Sequence, residues 1–183
     1  NLPPAEAIIN PNCLNDKSGF NYLCATGLTF IFIVFFDKTL KEKKFYRNKN
    51  YPNLLNFLDL VALATVCDVV PLIKLNRAFV KQGLKVLANR TNLGLKVMAD
   101  ESKLNNKPDE DDLGFFYGPR INAGGRVGKA EIGERLLNVN ENEEAELLVK
   151  QLNTFNYQRK LIEEKVFNDS INEINNRKME KKN

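Results

Sequence analysis

Apolar residues gather along the chain in dense groups whose spacing changes from group to group. Residues 22–36 are almost entirely apolar, broken only by Asn21 before them and by Thr26, Gly27 and Thr29 within. This run is shorter than the roughly 20 residues a membrane-spanning helix needs. It predicts a buried helix, with Ser18 placed to cap it and Asp37 marking the change into the charged stretch 38–44. Residues 45–53 read as a polar loop, and Asn53 opens a short helix leading into a second buried segment that ends at Asp68, within the central stretch 56–72. Beyond Pro71, Asn76 is positioned to cap a helix whose apolar face is Phe79, Val80, Leu84 and Leu87. A shorter helix is expected over 93–99. The charged stretch 100–112, with Pro108, reads as an exposed loop whose last acids start the next helix.

Two other patterns frame these. At the start, the β-branched run before Asn10-Pro11 predicts a buried strand over the first ten residues. From Glu141 onward, Leu148, Leu152, Phe155, Ile162 and Val166 recur at helical spacing and give one apolar stripe on a long helix. The stripe fades past Ile174 into a basic end, which complements a helix C-terminus and reads as a solvated helix end rather than a DNA-binding tail.

Composition narrows the chemistry. The chain of 183 residues has 43% hydrophobic content and a formal charge of +4, enough for one domain with a core and compatible with a nucleic-acid partner without requiring one. Cys13, Cys24 and Cys67 match no zinc or Cys-x-x-Cys spacing and fit reduced thiols in a cytoplasmic protein. There is no histidine, which excludes Ser-His-Asp catalysis, imidazole acid–base chemistry and His-ligated metal sites built from this chain alone. Nothing in the sequence addresses the chain to a membrane or to export.

Two stretches carry candidate chemistry. In NFLDLVALATVCDVVPL, Asp68 closes an apolar run, and a carboxylate there must be paired, hydrogen-bonded or metal-bound to offset its desolvation. It is either a metal ligand or the cap of a turn stopped by Pro71. Asp59, nine residues earlier, falls on another face and does not pair with it. In LGFFYGPRINAGGRVG, glycines at 118, 124, 125 and 128 permit close backbone approach. Arg120 and Arg126 would diverge on one helix but converge on an anion from a glycine-rich loop, with Asn122 between them. The alternative is a structural turn whose arginines pair with Asp111 and Asp112.

Four stretches in the same order resemble the RecJ family of the DHH phosphoesterase superfamily: LPPAEAIINPN, DLVALATVCDVVPL with Asn76-Arg77, GFFYGPRINAGGR, and LNTFNYQRKLIEEKV. The resemblance runs from about residue 2 to about residue 174. It implies an α/β fold in which this chain is the helix-rich second half of a parallel-sheet DHH domain (residues 1–138), followed by the start of a long interdomain connector helix (139–183). It further implies 5′→3′ hydrolysis of single-stranded DNA with Mn²⁺ or Mg²⁺ in DNA repair and recombination. By the same resemblance Asp68 is the metal-binding, catalytic acid, and Arg120, Asn122 and Arg126 face the DNA phosphate.

Cys67 stands where the family usually has Ala, and Gly124 where Ala is usual. The family's Asp-x-Asp strand, its Asp-His-His motif and its second core domain have no counterpart in these residues. One acid does not hold two divalent ions, so the isolated chain is expected to be inactive and to need a complementary part carrying the missing ligands. Competing readings are a non-catalytic nucleic-acid-binding module and a DHH phosphoesterase acting on small nucleotides.

Overall fold

The structure is a computed structural model that describes residues 4–47, 49–127 and 129–180. It divides into two compact units, Asn1–Asn89 with Pro108–Leu113, and Arg90–Lys107 with Gly114–Asn183.

The first unit holds α1 (Ala25–Glu42), a 3₁₀ turn (Leu54–Phe57), α2 (Leu58–Cys67) and α3 (Lys74–Ala88). The sequence of α2, LDLVALATVC, is apolar on every side, and such a helix must be covered on every side. Leu58, Val61, Ala62 and Leu63 are accordingly buried, and Thr65 satisfies its hydroxyl by donating to Val61 O at 2.6 Å. The amphipathic α3 lies against it through Phe79, Val80, Gly83 and Leu87. Phe79 meets Phe30 of α1 edge-on at 5.7 Å, and these two rings with Leu23, Leu58 and Val61 form the core of the unit.

The second unit holds α4 (Leu93–Glu101), the C-terminal part of a π-helical turn (Asp112–Tyr117), α5 (Gly118–Ile121), α6 (Ala123–Arg126), α7 (Glu131–Asn138) and α8 (Asn142–Glu180). Asn92 begins it twice over: its Oδ1 accepts from Leu95 N at 3.0 Å as the cap of α4, and its Nδ2 donates to Leu137 O at 3.1 Å. Ala145, Leu148, Val149 and Leu152 of α8 are buried against the shorter helices. Beyond Asn156 the stripe continues into solvent, with Ile162 60% and Val166 58% exposed.

Several expectations are corrected. Among the described residues the secondary structure is helical and contains no strand, so the parallel sheet of the α/β reading does not occur within them. Residues 5–9, expected as a buried strand, have no regular structure, and Ile9 is 58% exposed. A strand needs a ladder partner for its backbone groups, and none of these residues offers one. The expected buried helix is α1, yet Phe32, Phe35 and Phe36 are about half exposed or more. Its cap is Cys24, whose Sγ accepts from Gly27 N at 3.3 Å, while Ser18 closes a local turn by donating to Asp16 Oδ1. Asn76 is not a cap but lies inside α3, fully buried. The first three residues, Gly128 and the last three residues of the basic end lie outside the described residues. No helix among those described is long and apolar enough to cross a membrane.

Candidate functional site

In the first unit, α2 separates two acids to its two ends. Nine residues of helix correspond to about 13 Å of rise, which agrees with the expectation that Asp59 and Asp68 do not pair. Their environments are the reverse of what the apolar run suggests. Asp68 is the C-cap residue of α2 and exposed, so desolvation does not demand a partner for it. Asp59, in the first helical turn, is only 3% exposed. One of its carboxylate oxygens accepts from Leu60 N at 2.7 Å, and burial raises its pKa above the ordinary value.

A raised pKa in the folded state means that the folded chain binds the Asp59 proton more readily than the unfolded chain. Stability then falls as pH rises through the interval between the unfolded and folded values, and ionised Asp59 is a cost at neutral pH. Asp59→Asn is therefore expected to melt higher than the wild type at pH 7, with the two melting curves converging on acidification. A variant that melts lower than the wild type at pH 7, with the deficit shrinking on acidification, would show that the ionised carboxylate is held by a favourable partner.

The turn after Asp68 is fixed on both sides. The Asp68 N–H donates to Ala64 O at 2.9 Å, ending the helix, and Val69 follows in the left-handed region at φ 54°. For a β-branched residue that conformation stores strain of about 1–3 kcal/mol. Asn76 compensates: its Nδ2 donates to Pro71 O at 2.9 Å and to Tyr22 O at 2.8 Å, tying the turn to α3 and to the segment before α1. Burial, and then the Asp68 charge, raise the pKa of the neighbouring Cys67 thiol, whose Sγ lies 3.7 Å from Leu113 O.

In the second unit, the glycine–arginine stretch is helical rather than an open loop, and Gly124 of the stretch, like Gly133 of α7, is spent on packing within the chain. A Cβ on Gly124 would lie 2.4 Å from Lys129 O, and one on Gly133 2.7 Å from Ile121 O. Because the path is helical, Arg120 and Arg126 have different neighbours. Arg120 donates from Nε to Asn153 Oδ1 at 3.0 Å and from Nη1 to Phe116 O at 2.9 Å, and its guanidinium lies over the Phe116 ring at 4.1 Å. Burial lowers its pKa. Asn122 is exposed at the joint between α5 and α6, its N–H donating to Gly118 O at 3.0 Å. Arg126, exposed at the end of α6, lines an open cavity of about 320 Å³ with Val127, Arg159, Ile162 and Glu163.

Asp68 thus belongs to one unit and Arg120, Asn122 and Arg126 to the other. The residue that sequence reasoning passed over is Arg159, inside the LNTFNYQRKLIEEKV stretch. Its signal was the Asn156-x-x-Arg159-x-x-x-Glu163 spacing, which places three polar groups on one helix face.

Among the described residues no group of three or more His, Cys, Asp or Glu is placed to hold a metal ion. Asp68 can supply one oxygen ligand, and the described residues do not complete a site.

No family model matches the chain. It is similar to the single-stranded-DNA-specific exonuclease RecJ of Salmonella typhimurium, 39% identical over 169 residues, covering 89% of this chain and 29% of that protein. It is also similar to the RecJ of Escherichia coli K12, 37% identical over 167 residues, again covering 89% of this chain and 29% of the relative. Among solved structures it resembles RecJ from Thermus thermophilus in complex with Mn²⁺, with a TM-score of 0.67 and 31% identity over 78% of this chain and 20% of that one. A further match is an exonuclease RecJ bound to manganese, with a TM-score of 0.69 and 31% identity over 80% of this chain and 35% of that one. The chain therefore spans under a third of the length of these curated relatives.

Proposed function

We propose, from the premise that the chain belongs to the RecJ family over the segment it spans, that it is the part of a 5′→3′ single-stranded-DNA exonuclease that presents Asp68 and the glycine–arginine stretch. The observation that carries the reading is the match across 89% of the chain to a single-stranded-DNA-specific exonuclease, joined to a fold match with a Mn²⁺-bound RecJ. Mn²⁺ or Mg²⁺ would activate water and stabilise the departing oxygen of the phosphodiester. Asp68 contributes one of the metal's ligands. The other ligands, the parallel sheet and the second core domain come from the remainder of such an enzyme, on the same polypeptide or on a complementary one. α8 is the start of the connector between the two core domains, holding a cleft that a single strand enters and a duplex does not.

The roles of the basic residues follow from their surroundings. Arg120, with two donors taken by Asn153 and Phe116, braces the stretch from within and offers its remaining N–H groups to a phosphate. Asn122 and Arg126 are exposed and face a strand directly.

A segment exchange tests the reading. The matched residues of the Escherichia coli relative are replaced by this chain, and nucleotide release from 5′-phosphorylated single strands is measured with Mn²⁺. The chimera is expected to digest single strands from the 5′ end and to leave a blunt duplex intact, while the isolated chain releases nothing. A folded chimera that neither binds nor cleaves single-stranded DNA would overturn the proposal. Metal-dependent cleavage by the isolated chain would overturn the division of ligands.

A further inference from the structure

The cavity beside α6 and α8 contains more charge chemistry than the motif residues alone account for. Its lining is Arg126, Val127, Arg159, Ile162 and Glu163, and its volume of about 320 Å³ falls at the lower end of the roughly 300–1,000 Å³ typical of small-ligand sites. Two guanidinium groups line one open space together with the side chains of Val127 and Ile162.

Arg159 is held by two neighbours on its own helix. Its Nε donates to Oδ1 of Asn156 at 3.2 Å, and Asn156 is only 5% exposed. Its Nη1 donates to Glu163 Oε2 at 2.7 Å. A buried amide thus fixes the plane of the guanidinium, and three of its five N–H donors are left for another acceptor. The side chain of Arg159 is 22% exposed and that of Glu163 69%, so the arginine is the more enclosed partner and the glutamate the one open to solvent. Arg126 forms no ion pair among the described residues. Two cations with one exposed carboxylate leave the cavity a net positive site with a displaceable counter-charge.

We infer that Arg126 and Arg159 form a clamp for one phosphate group, with Glu163 occupying the anion's place until a phosphate displaces it. The recognised chemistry is a phosphate oxyanion, supplied by a nucleic-acid strand or by a free phosphate. That a DNA strand is the natural source rests on the function proposed above; the clamp itself rests on the cavity. Arg159 is a binding residue of this site and Asn156 its positioning residue.

The test uses the 183-residue chain in chelator, so that metal binding plays no part. Affinity for a 5′-phosphorylated oligothymidylate carrying a 3′ fluorophore is measured by anisotropy across a salt series. In parallel, the Nε–H resonance of Arg159 is followed by NMR during titration with inorganic phosphate. Arg159→Gln is expected to weaken oligonucleotide binding about tenfold or more, the scale of a charge-assisted hydrogen bond. It should also flatten the salt dependence by about 0.7 in log–log slope, one phosphate contact on a single strand. Arg159→Lys should restore part of the affinity, since it keeps the charge and loses the fork. Glu163→Gln should tighten binding several-fold, because it removes the competing carboxylate. Circular dichroism should be unchanged throughout.

The Arg159 resonance is the decisive sign, since inorganic phosphate would leave it unmoved in an ion pair that only braced α8, whereas added positive charge alone tightens binding to a polyanion. If phosphate moves the Arg159 resonance but the oligonucleotide does not bind, the clamp stands and its DNA source is lost. If Arg159→Gln binds like the wild type, if Glu163→Gln weakens binding, or if neither probe binds, the clamp is overturned.

Discussion

Gly83→Ala is expected to unfold the first unit at temperatures where the wild type is intact. In a solvent-facing helix this substitution would stabilise by about 1 kcal/mol, because glycine has more backbone freedom to lose on folding. At Gly83 of α3 the added Cβ would sit 2.1 Å from Leu58 O and 2.4 Å from the Ala62 Cβ. Neither neighbour is the far end of a flexible side chain: one is the backbone of α2, the other a methyl fixed to it. The helices must separate, and Phe79, Val80 and Leu87, buried at 9%, 2% and 5% exposure, lose their contacts together. Overpacking costs about 1–3 kcal/mol where side chains can adjust. With rigid backbone on the far side the net cost should reach at least the upper end of that range, a fall in melting temperature on the order of 10 °C for a unit of this size. Gly125→Ala serves as the control: its Cβ would stand 3.8 Å from that of Ala130, an ordinary contact, and stability should hold or rise. The measurement is thermal and urea denaturation, with hydrogen exchange to show that protection is lost in α2 and α3. An unchanged melting temperature for Gly83→Ala would mean that the helices do not pack this closely.

Much of this architecture was legible from residue pattern. The all-apolar α2, the face of α3, the extent of α4 and the length of α8 follow from period and composition, and Asn53 opens the 3₁₀ turn by accepting from Leu55 N at 3.2 Å. What was not legible concerns partners. A β-branched run predicts a strand only if a ladder exists to receive it. Glycines announce close approach without saying to what: in the glycine–arginine stretch Gly124 meets the carbonyl of Lys129, and Gly133 of α7 meets that of Ile121, along a path of consecutive short helices rather than the expected loop. α7 was hidden for the opposite reason, since its eight residues carry too few turns for their period to register against the glycines before them.

The acids and arginines show the same division. Asp68 drew notice because it ends an apolar run, yet the helix stops there and turns it to solvent, while the inconspicuous Asp59 is the one taken inside. Burial depends on which face of α2 its neighbours cover, and single-residue context does not contain that. Arg120 and Arg126 stand in one motif but have different neighbours. The structure connects Arg120 with Asn153, and sets Arg126 beside Arg159, thirty-odd residues away. Long-range partners of this kind are set by how α6 and α8 pack, and a motif reading stops at its own ends.

Asp68→Ala in the chimera is expected to lose at least about a hundredfold in Mn²⁺-dependent nucleotide release while melting as the parent does. Substituting even outer-shell groups around a metal costs 10–100-fold in affinity or activity, so removing a direct oxygen ligand should cost no less. The stability half follows from geometry. Asp68 is exposed, and its contribution to ending α2 is a backbone bond to Ala64 O that alanine retains; surface changes of this kind stay within about 0.5 kcal/mol. The two halves together separate ligand from cap. If Asp68 were the structural cap, its loss would lower the melting temperature, and activity would fall only as far as folding did. A chimera that keeps activity within a few-fold would remove Asp68 from the metal site altogether. The turn explains why an exposed acid could be so well placed without being bonded itself. Asn76 holds Pro71 and Tyr22 from inside α3, and Val69 accepts a strained conformation beside it, so the stability resides in the buried amide and the carboxylate is left free of structural duty. That separation lets a residue be replaced at great cost to chemistry and little cost to fold, which is the pattern the two measurements would read.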